Sequence, residues 1–415
     1  MAVKLCTYRT CVPPQGDALP RLCNVLRIAD GLRELVIDLH GRAAHTVPAR
    51  FAKLGRLTQL ESLQLRCVAL DADREQLSTA LSPLTRLTRL GLQFDPDKSL
   101  HTRVIPSFPW EAALCGLTNL QELDVCSKVS ADHAYSFGMF MGALPAALSQ
   151  LTALRRLSVL GMKEWHNTDD SDELQLAALP ALETAAFRLR TLRGHYPSLS
   201  NQLQHFSSRL VSLSLALRAD ADDFYEDTRL PTITAPALTE LDMRGLMLAP
   251  VSEQLAWLPG LPKLQRLVLT DVTTGSTQLP LGVMACSSLT ELVLKRFCVN
   301  DDCQPDSWDY SSAIYLRRLP PGGPYLSELV RLSLAENAFS AVPPSLTAAT
   351  ALAVLDMGKQ RLGQGYDTYD EEPLQGLHVL LGLTRLRCVN LVGFNQRPTT
   401  RQCFRVARPD VTVTW

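Results

Sequence analysis

Apolar residues return along this chain in one arrangement: apolar, two variable, apolar, one variable, apolar. It stands at Leu32-Leu35-Ile37, Leu60-Leu63-Leu65, Leu87-Leu90-Leu92, Leu120-Leu123-Val125 and Leu154-Leu157-Val159. It continues at Leu182-Ala185-Phe187, Leu210-Leu213-Leu215, Leu238-Leu241-Met243, Leu264-Leu267-Leu269 and Leu289-Leu292-Leu294. The last copies are Leu329-Leu332-Leu334, Leu352-Leu355-Met357 and Leu386-Val389-Leu391, which makes thirteen. The alternation at the end of each copy predicts a short strand with one buried face. The spacing of three before it suits a helical or 3₁₀ turn on the opposite side.

A second regularity tests the first. Two residues before each opening Leu stands a turn-former. It is Thr58, Thr85, Thr118, Thr152, Ser208, Ser287, Ser327, Thr350 or Thr384 in nine copies, Pro180, Pro236 or Pro262 in three, and Asp30 in one. Such residues bend the backbone where it enters a strand. One unit of this kind cannot bury its own apolar face, whereas a stack of units can. Thirteen parallel strands about 4.8 Å apart would make a sheet on the order of 60 Å long.

These units resemble leucine-rich repeats from about Leu32 to Leu391. Leu144-Pro-Ala-Ala-Leu148-Ser-Gln-Leu151-Thr-Ala-Leu154-Arg-Arg-Leu157-Ser-Val159 looks like a complete one, and Val342-Pro-Pro-Ser-Leu346 and Val47-Pro-Ala-Arg-Phe51 open two others. The resemblance implies an α/β leucine-rich-repeat solenoid, a curved horseshoe. Its concave side would be a parallel β-sheet, and its convex side short helices, 3₁₀ turns and loops. Residues 1–31 are expected to cap the N-terminal end, 32–395 to form one continuous solenoid, and 396–415 to cap the C-terminal end. Val411-Thr-Val413-Thr-Trp415 alternates like a final strand.

The chain departs from the family in one respect. Many leucine-rich repeats carry Asn three residues after the last strand Leu, where its amide bonds the turning backbone. Only Asn337 occupies that place; Asp95, Lys128, Arg218 and Phe297 stand there in other units. The bends must be held in other ways, so the solenoid should be irregular.

Composition narrows the function. Of the 415 residues 75 are Leu, and 41 basic against 42 acidic side chains give a net charge of −1. A general nucleic-acid binder needs a surplus of Lys and Arg, so none is expected. No apolar run approaches the roughly 18 residues of a membrane span, and Met1 to Arg9 holds no signal-peptide core. The eleven cysteines stand singly, without C-x-x-C spacing, and read as reduced thiols filling small core spaces of an intracellular chain. Cys298 and Cys303, with Asp301 and Asp302 between them, lack a neighbouring His to complete a metal site. None of the eight His shows catalytic spacing, and there is no Walker loop, G-x-G-x-x-G or H-E-x-x-H. Neither enzyme chemistry, cofactor nor metal is therefore expected.

Two binding surfaces are expected instead. Outward-facing strand residues are where a solenoid docks a partner, here Arg66, Asp124, Arg156, Arg188, Asp242, Arg244 and Lys295. Just before the second strand position, Glu240, Arg266 and Glu291 alternate in sign on successive strands and should pair across the sheet. The second surface is an acidic edge with aromatic anchors, where long intervals leave the strands. Asp222, Asp223, Tyr225 and Glu226 belong to it, as do Tyr366, Tyr369, Asp370 and Glu371, and it suits a basic partner.

The expected function is a non-enzymatic, monomeric, intracellular scaffold that binds another protein. The alternative is the substrate-recognition part of a ubiquitin ligase or immune-type receptor whose effector module lies in another chain. Leu19 to Ile28 superficially resembles the start of an F-box, but the first repeat begins too soon for a full one. Arrays of this Ala-, Leu- and Arg-rich composition resemble many from green algae, some associated with the cytoskeleton or cilium axoneme. With the cysteine reading a cytoplasmic location is expected, and the resemblance implies association with the cytoskeleton or axoneme.

Overall fold

Each expected strand core begins a parallel strand, as a computed structural model of the chain shows. The structure describes residues 2–4, 32–38, 51, 54–95, 108–127, 147–163, 179–191, 208–219, 232–245, 255–274, 279–298, 315–361 and 373–415. Two compact units divide the chain. The first holds 1–192 and 197–210, and the second 193–196 and 211–415.

Among the described residues the first unit carries seven strands: β1 (Ala2–Lys4), β2 (Glu34–Asp38), β3 (Ser62–Ala69), β4 (Arg89–Asp95), β5 (Glu122–Ser127), β6 (Arg156–Lys163) and β7 (Thr184–Thr191). They pair in chain order, all parallel. The second unit carries β8 (Ser212–Ala219), β9 (Glu240–Arg244), β10 (Arg266–Thr270), β11 (Glu291–Lys295), β12 (Arg331–Ser333), β13 (Val354–Asp356), β14 (Cys388–Asn390) and β15 (Thr412–Thr414). These also pair in parallel and in chain order. β15 is the final strand expected from the alternation after Val411. β1 was not expected, since the N-terminal segment read as an amphipathic cap; the rest of that segment, with its F-box-like stretch, lies outside the described residues.

Register aligns the leucines. Leu35, Leu63, Leu90, Leu123, Leu157 and Ala185 are successive partners in the first unit. Leu213, Leu241, Leu267, Leu292, Leu332, Leu355 and Val389 are successive partners in the second. All are buried. Leu241 is fully buried, so Leu241→Ala is expected to cost about 2–5 kcal/mol of unfolding free energy, the range for large-to-small changes in a packed core. Chemical denaturation checks it; a loss below about 1 kcal/mol would place the residue at the surface.

The turn-former now has a mechanism. The amide of Leu60 donates to the carbonyl of Leu57, and that of Leu87 to Leu84, both at 2.9–3.0 Å. The same bond closes Leu179–Leu182, Ala235–Leu238, Leu261–Leu264, Ala349–Leu352 and Leu383–Leu386. Thr58, Thr85, Pro180, Pro236, Pro262, Thr350 and Thr384 thus stand at the second position of a tight turn, where the fixed φ of Pro is favoured and Thr is tolerated. The turn delivers the next Leu into the core.

The connecting side of the units is irregular. It includes helices α1 (Leu70–Leu81), α2 (Trp110–Leu114), α3 (Leu281–Met284), α4 (His378–Leu381) and α5 (Pro398–Ala407). It also has 3₁₀ turns at Leu54–Arg56, Leu258–Gly260, Pro324–Leu326 and Pro344–Ala348. Before β5 the core is filled by aromatic rings, with Phe108 and Trp110 centroids 4.6 Å apart and Phe94 5.5 Å from Phe108. Register shifts interrupt the pairing between Leu65 and Val68 of β3 and between Leu160 and Met162 of β6. In α3, a Cβ on Gly282 would sit 1.7 Å from the Leu255 carbonyl oxygen, so only Gly permits that approach.

Several cysteines depart from the expectation of reduced core fillers: Cys115 and Cys403 are exposed, Cys126 and Cys388 half-buried, and of the free thiols described only Cys286 is buried. Cys115, Cys126, Cys286, Cys388 and Cys403 are free, but Cys298 is in a disulfide. Cys298 is itself buried, in isolated bridges just past β11 with both Thr273 and Tyr315. Burial pushes the Cys286 thiol up to about 11, which keeps it protonated at neutral pH. Cys303 lies outside the described residues.

Candidate functional site

Residues flanking the strand leucines point away from the core and line up in rows, because parallel pairing keeps the same position of each unit side by side. The row before the second strand position reads Ser212, Glu240, Arg266, Glu291 and Arg331 in the second unit. The alternation of sign is used as expected between Arg266 and Glu291, whose Nε and Oε1 are 3.1 Å apart. Glu240 instead accepts a hydrogen bond from Ser212 Oγ at 3.3 Å. In the first unit Arg89 reaches across Ser62 to Glu34, 3.3 Å away. Such half-exposed pairs contribute little stability and chiefly order the surface.

The richest arrangement lies where β9 to β12 end. Arg244 grips Asp242 on its own strand with two nitrogens, Nη2 to Oδ2 at 2.6 Å and Nε to Oδ1 at 2.9 Å. Arg296 holds Asp271 in a two-nitrogen contact and reaches Glu336 through Nη1 at 2.7 Å. Lys295 Nζ meets the other Glu336 oxygen at 2.9 Å. Asp242, Arg244, Asp271, Lys295, Arg296 and Glu336 therefore form a neutral cluster of three acids and three bases. Coverage is uneven: Asp242 is 15% and Glu336 17% exposed against 52% for Arg244 and 36% for Lys295, while Asp271 at 38% is more open than Arg296 at 29%.

Backbone geometry explains why these charges meet. Gly245, Asp271, Arg296, Glu336, Lys359 and Gly393 all have positive φ, between 47° and 97°. Each stands two residues after the last strand apolar residue, so each unit turns through the left-handed region at the same place. Only Gly takes that region freely; Asp271, Arg296, Glu336 and Lys359 bear a cost there. The stacked turns offset it by bringing Asp271, Arg296 and Glu336 into an ion-paired row. The hydrogen bond to Asp242 raises the pKa of Arg244 above its ordinary value, although burial works against it. Burial favours the neutral form of Glu336, but the hydrogen bonds and charges of Lys295 and Arg296 win, and its carboxyl is held below the usual range.

A depressed carboxyl has a defined pH signature. The contribution of Glu336 is full above the unfolded Glu value of about 4.3 and is lost as pH falls through its lower folded value. Below about pH 4.3 the unfolded chain binds the proton more readily, so stability falls with pH. The urea midpoint of the second unit is expected to drop less between pH 5 and pH 3 in Glu336→Gln than in the parent. Identical pH slopes would show that Glu336 is not the group responsible.

Further along the sheet, Asp356 gathers Ser333 Oγ at 3.1 Å, Asn390 Nδ2 at 2.8 Å and the Gly358 amide at 3.0 Å. Beneath the turns, Asn337 plays its expected part. Its amide donates to the carbonyls of Leu294 at 2.6 Å and Leu334 at 2.9 Å, and accepts the Phe297 N–H at 2.9 Å. Gln360 repeats the pattern one unit later, donating to Leu334 and Met357 and accepting from Phe339.

Of the outward residues expected to bind, the structure brings Asp242, Arg244 and Lys295 into this cluster. Arg66, Asp124 and Arg156 stand in the first unit, all exposed, with Arg66 donating to Gln64 at 3.2 Å. Arg188 lies in β7, but its side chain is outside the described residues, as are all eight residues of the expected acidic edge: Asp222, Asp223, Tyr225, Glu226, Tyr366, Tyr369, Asp370 and Glu371. Sequence reasoning missed Asp271, Arg296 and Glu336. Their constant distance from the last strand apolar residue was the available signal. Among the described residues no three His, Cys, Asp or Glu are placed to hold a metal ion, and no helix is long and apolar enough to cross a membrane.

No family model and no curated protein matches this chain. Solved structures do. An internalin (inlF) from Listeria monocytogenes is 16% identical, over 92% of this chain and 85% of that one, with a TM-score of 0.50. A leucine-rich-repeat protein of Leptospira interrogans is 17% identical over 91% and 95%, with a TM-score of 0.43. A chain of the Drosophila Toll–Spatzle complex is 15% identical over 88% and 47%, with a TM-score of 0.46. With the registered leucine strands, the first of these likenesses places the chain in the leucine-rich-repeat fold.

Proposed function

We propose that this leucine-rich-repeat chain is a non-enzymatic scaffold that binds another protein on the outward face of its sheet. One observation carries the reading: Arg244 and Lys295, 52% and 36% exposed, are each held by a better covered acid, Asp242 at 15% and Glu336 at 17%. Guanidinium and ammonium groups already held in place lose little freedom on binding. Rigid, parallel strands carry them, so they present a fixed pattern to a partner. Fold alone does not define function, and the reading rests on this surface.

The test is affinity purification from the native cell with the parent chain and with Arg244→Glu/Lys295→Glu, followed by mass spectrometry. Partners are expected to be captured by the parent and lost at least tenfold in the variant, while circular dichroism stays unchanged. Equal capture by both would remove this face from the reading. A second variant, Asp222→Ser/Asp223→Ser/Asp370→Ser/Glu371→Ser, would then test the acidic edge for a basic partner, through a slower on-rate and a weaker salt dependence.

We propose a cytoplasmic location as well. The exposed free thiols of Cys115 and Cys403 support a reducing compartment, while the disulfide of Cys298 speaks against it. Alkylation of acid-quenched cells separates the two: an alkylated Cys298 supports the cytoplasm, and a protected one overturns it.

A further inference from the structure

Between the isolated bridge at Tyr315 and the 3₁₀ turn Pro324–Leu326 runs the segment Leu316-Arg-Arg-Leu-Pro-Pro-Gly-Gly323. It is pinned at intervals. Leu316 is fully buried; its amide donates to the Phe297 carbonyl at 2.9 Å, and its carbonyl accepts the Ala338 amide at 3.0 Å. Leu319 is buried, and Tyr325 and Leu326 are fully buried. The Tyr325 hydroxyl donates to the Pro320 carbonyl at 3.4 Å. A Cβ on Gly322 would sit 3.4 Å from the Cβ of Ala348, and one on Gly323 3.4 Å from the Met284 carbonyl oxygen. The segment therefore runs on the connecting side of the units, between α3 and the Pro344–Ala348 turn, and not on the sheet.

Between the pins, Arg317, Arg318 and Pro321 are exposed and Pro320 is half-buried. No ion pair holds either arginine among the described residues. Proline rings fix φ at about −65°, and Leu319 and Pro320, each preceding a proline, are driven to the ψ of a polyproline II helix. That helix repeats every three residues. With Leu319 turned to the core, Arg318 and Pro321 fall on one outer edge and Arg317 and Pro320 on the other. The chain bends at Pro321, and Gly323 is extended, with φ −154° and ψ 172°, so the polyproline stretch ends at Pro321.

Packing leaves these residues unexplained. In the next unit Val342-Pro343-Pro344 enters a 3₁₀ turn of the same kind, with Pro343 buried and no arginine before it. Pro324 fills that place here, at the start of its turn. Arg317, Arg318 and Pro321 have no part in the core.

We infer that Arg317, Arg318, Pro320 and Pro321 dock a small partner domain of the WW type, whose groove sets two aromatic rings around a Pro-Pro pair and carries a carboxylate. Chemistry selects this occupant. Proline rings are apolar and lack an N–H, so they stack on aromatic faces without burying an unpaired donor. A guanidinium beside them can lie on the same rings and pair with the carboxylate. The pinned segment has little freedom left to lose on binding. The bend decides between groove types. An SH3 groove reads Pro-x-x-Pro along one straight polyproline helix. Pro321 and Pro324 have that spacing, but the chain bends at the first and enters the 3₁₀ turn at the second.

The experiment titrates the full chain into a set of purified, fluorescein-labelled WW domains that carry an acidic residue beside the groove. Anisotropy is read at about 50 mM and 300 mM salt. Binding by at least one domain is expected, reduced at least tenfold in Pro321→Ala and in Arg317→Ser/Arg318→Ser. High salt should weaken it only in part, because the proline contacts are uncharged. All three positions are exposed, so circular dichroism and thermal midpoint should match the parent. No binding by any domain of the set, or equal binding by either variant, would overturn the inference. Purified SH3 domains binding tighter than every WW domain would overturn it in favour of a straightened Pro-x-x-Pro. A ten-glutamate peptide binding as tightly as the WW domains would overturn it as well, since charge rather than proline would then be read.

Discussion

Asn337→Leu is expected to lower the unfolding free energy of the second unit by about 3–6 kcal/mol, because it leaves several buried groups unpaired at about 1–3 kcal/mol each. The fully buried Asn337 amide serves three places at once: the Phe297 N–H and the carbonyls of Leu294 and Leu334. Leu has similar volume, so packing changes little and the polar loss dominates. Gln360→Leu should act alike on Phe339, Leu334 and Met357, since its side chain makes the same set of bonds one unit later. Hydrogen exchange under increasing urea gives both numbers, because units of a stack open separately. If the Phe297 and Phe339 amides kept their protection in the respective variants, the bonds would be of no consequence to the fold.

A loss of about 3–5 kcal/mol is expected for Arg408→Met, the range for removing one member of a buried charged network. Met fills the space of the stem but donates nothing. The carbonyls of Leu380, Leu383 and Leu386 would then face the core without a donor, and Asp410 would lose the arginine that holds its carboxyl below the usual range. The damage should be local. Exchange in residues 378–415 should quicken while β9 to β11 stay protected. Uniform destabilisation of the second unit would show that the cap is coupled to the whole stack rather than closing its end.

Both predictions depend on polar side chains, and there the amino-acid sequence was least legible. Asn337 was readable because its place follows the last strand Leu by three residues, a spacing the family resemblance makes meaningful. Gln360 has the same spacing after Met357, yet a longer side chain in that place does not announce the same bonds. Arg408 looked like one cation among several in a terminal segment. Only the packing of α5 against the turns at Leu380 to Leu386 gives its guanidinium three carbonyls to meet.

The cluster at the ends of β9 to β12 divides the same way. Asp242, Arg244 and Lys295 were readable as outward residues because strand alternation assigns a side to every second position. Asp271, Arg296 and Glu336 follow the strands, where alternation no longer holds. Their meeting depends on three left-handed turns stacking in register, a tertiary fact.

Periodicity by itself determined the thirteen strand cores, their parallel order and the turn before each, because burying a leucine stripe leaves a repeating chain no other economical solution. It reached neither β1 nor α1, since a single short strand and a polar helix carry too little apolar pattern to stand out. Tertiary structure alone decided which charges pair and which amide stands in for the missing asparagines. Hydrophobic burial depends on the kind of residue and its period, whereas hydrogen bonds and ion pairs depend on distances of about 3 Å between atoms far apart in the chain.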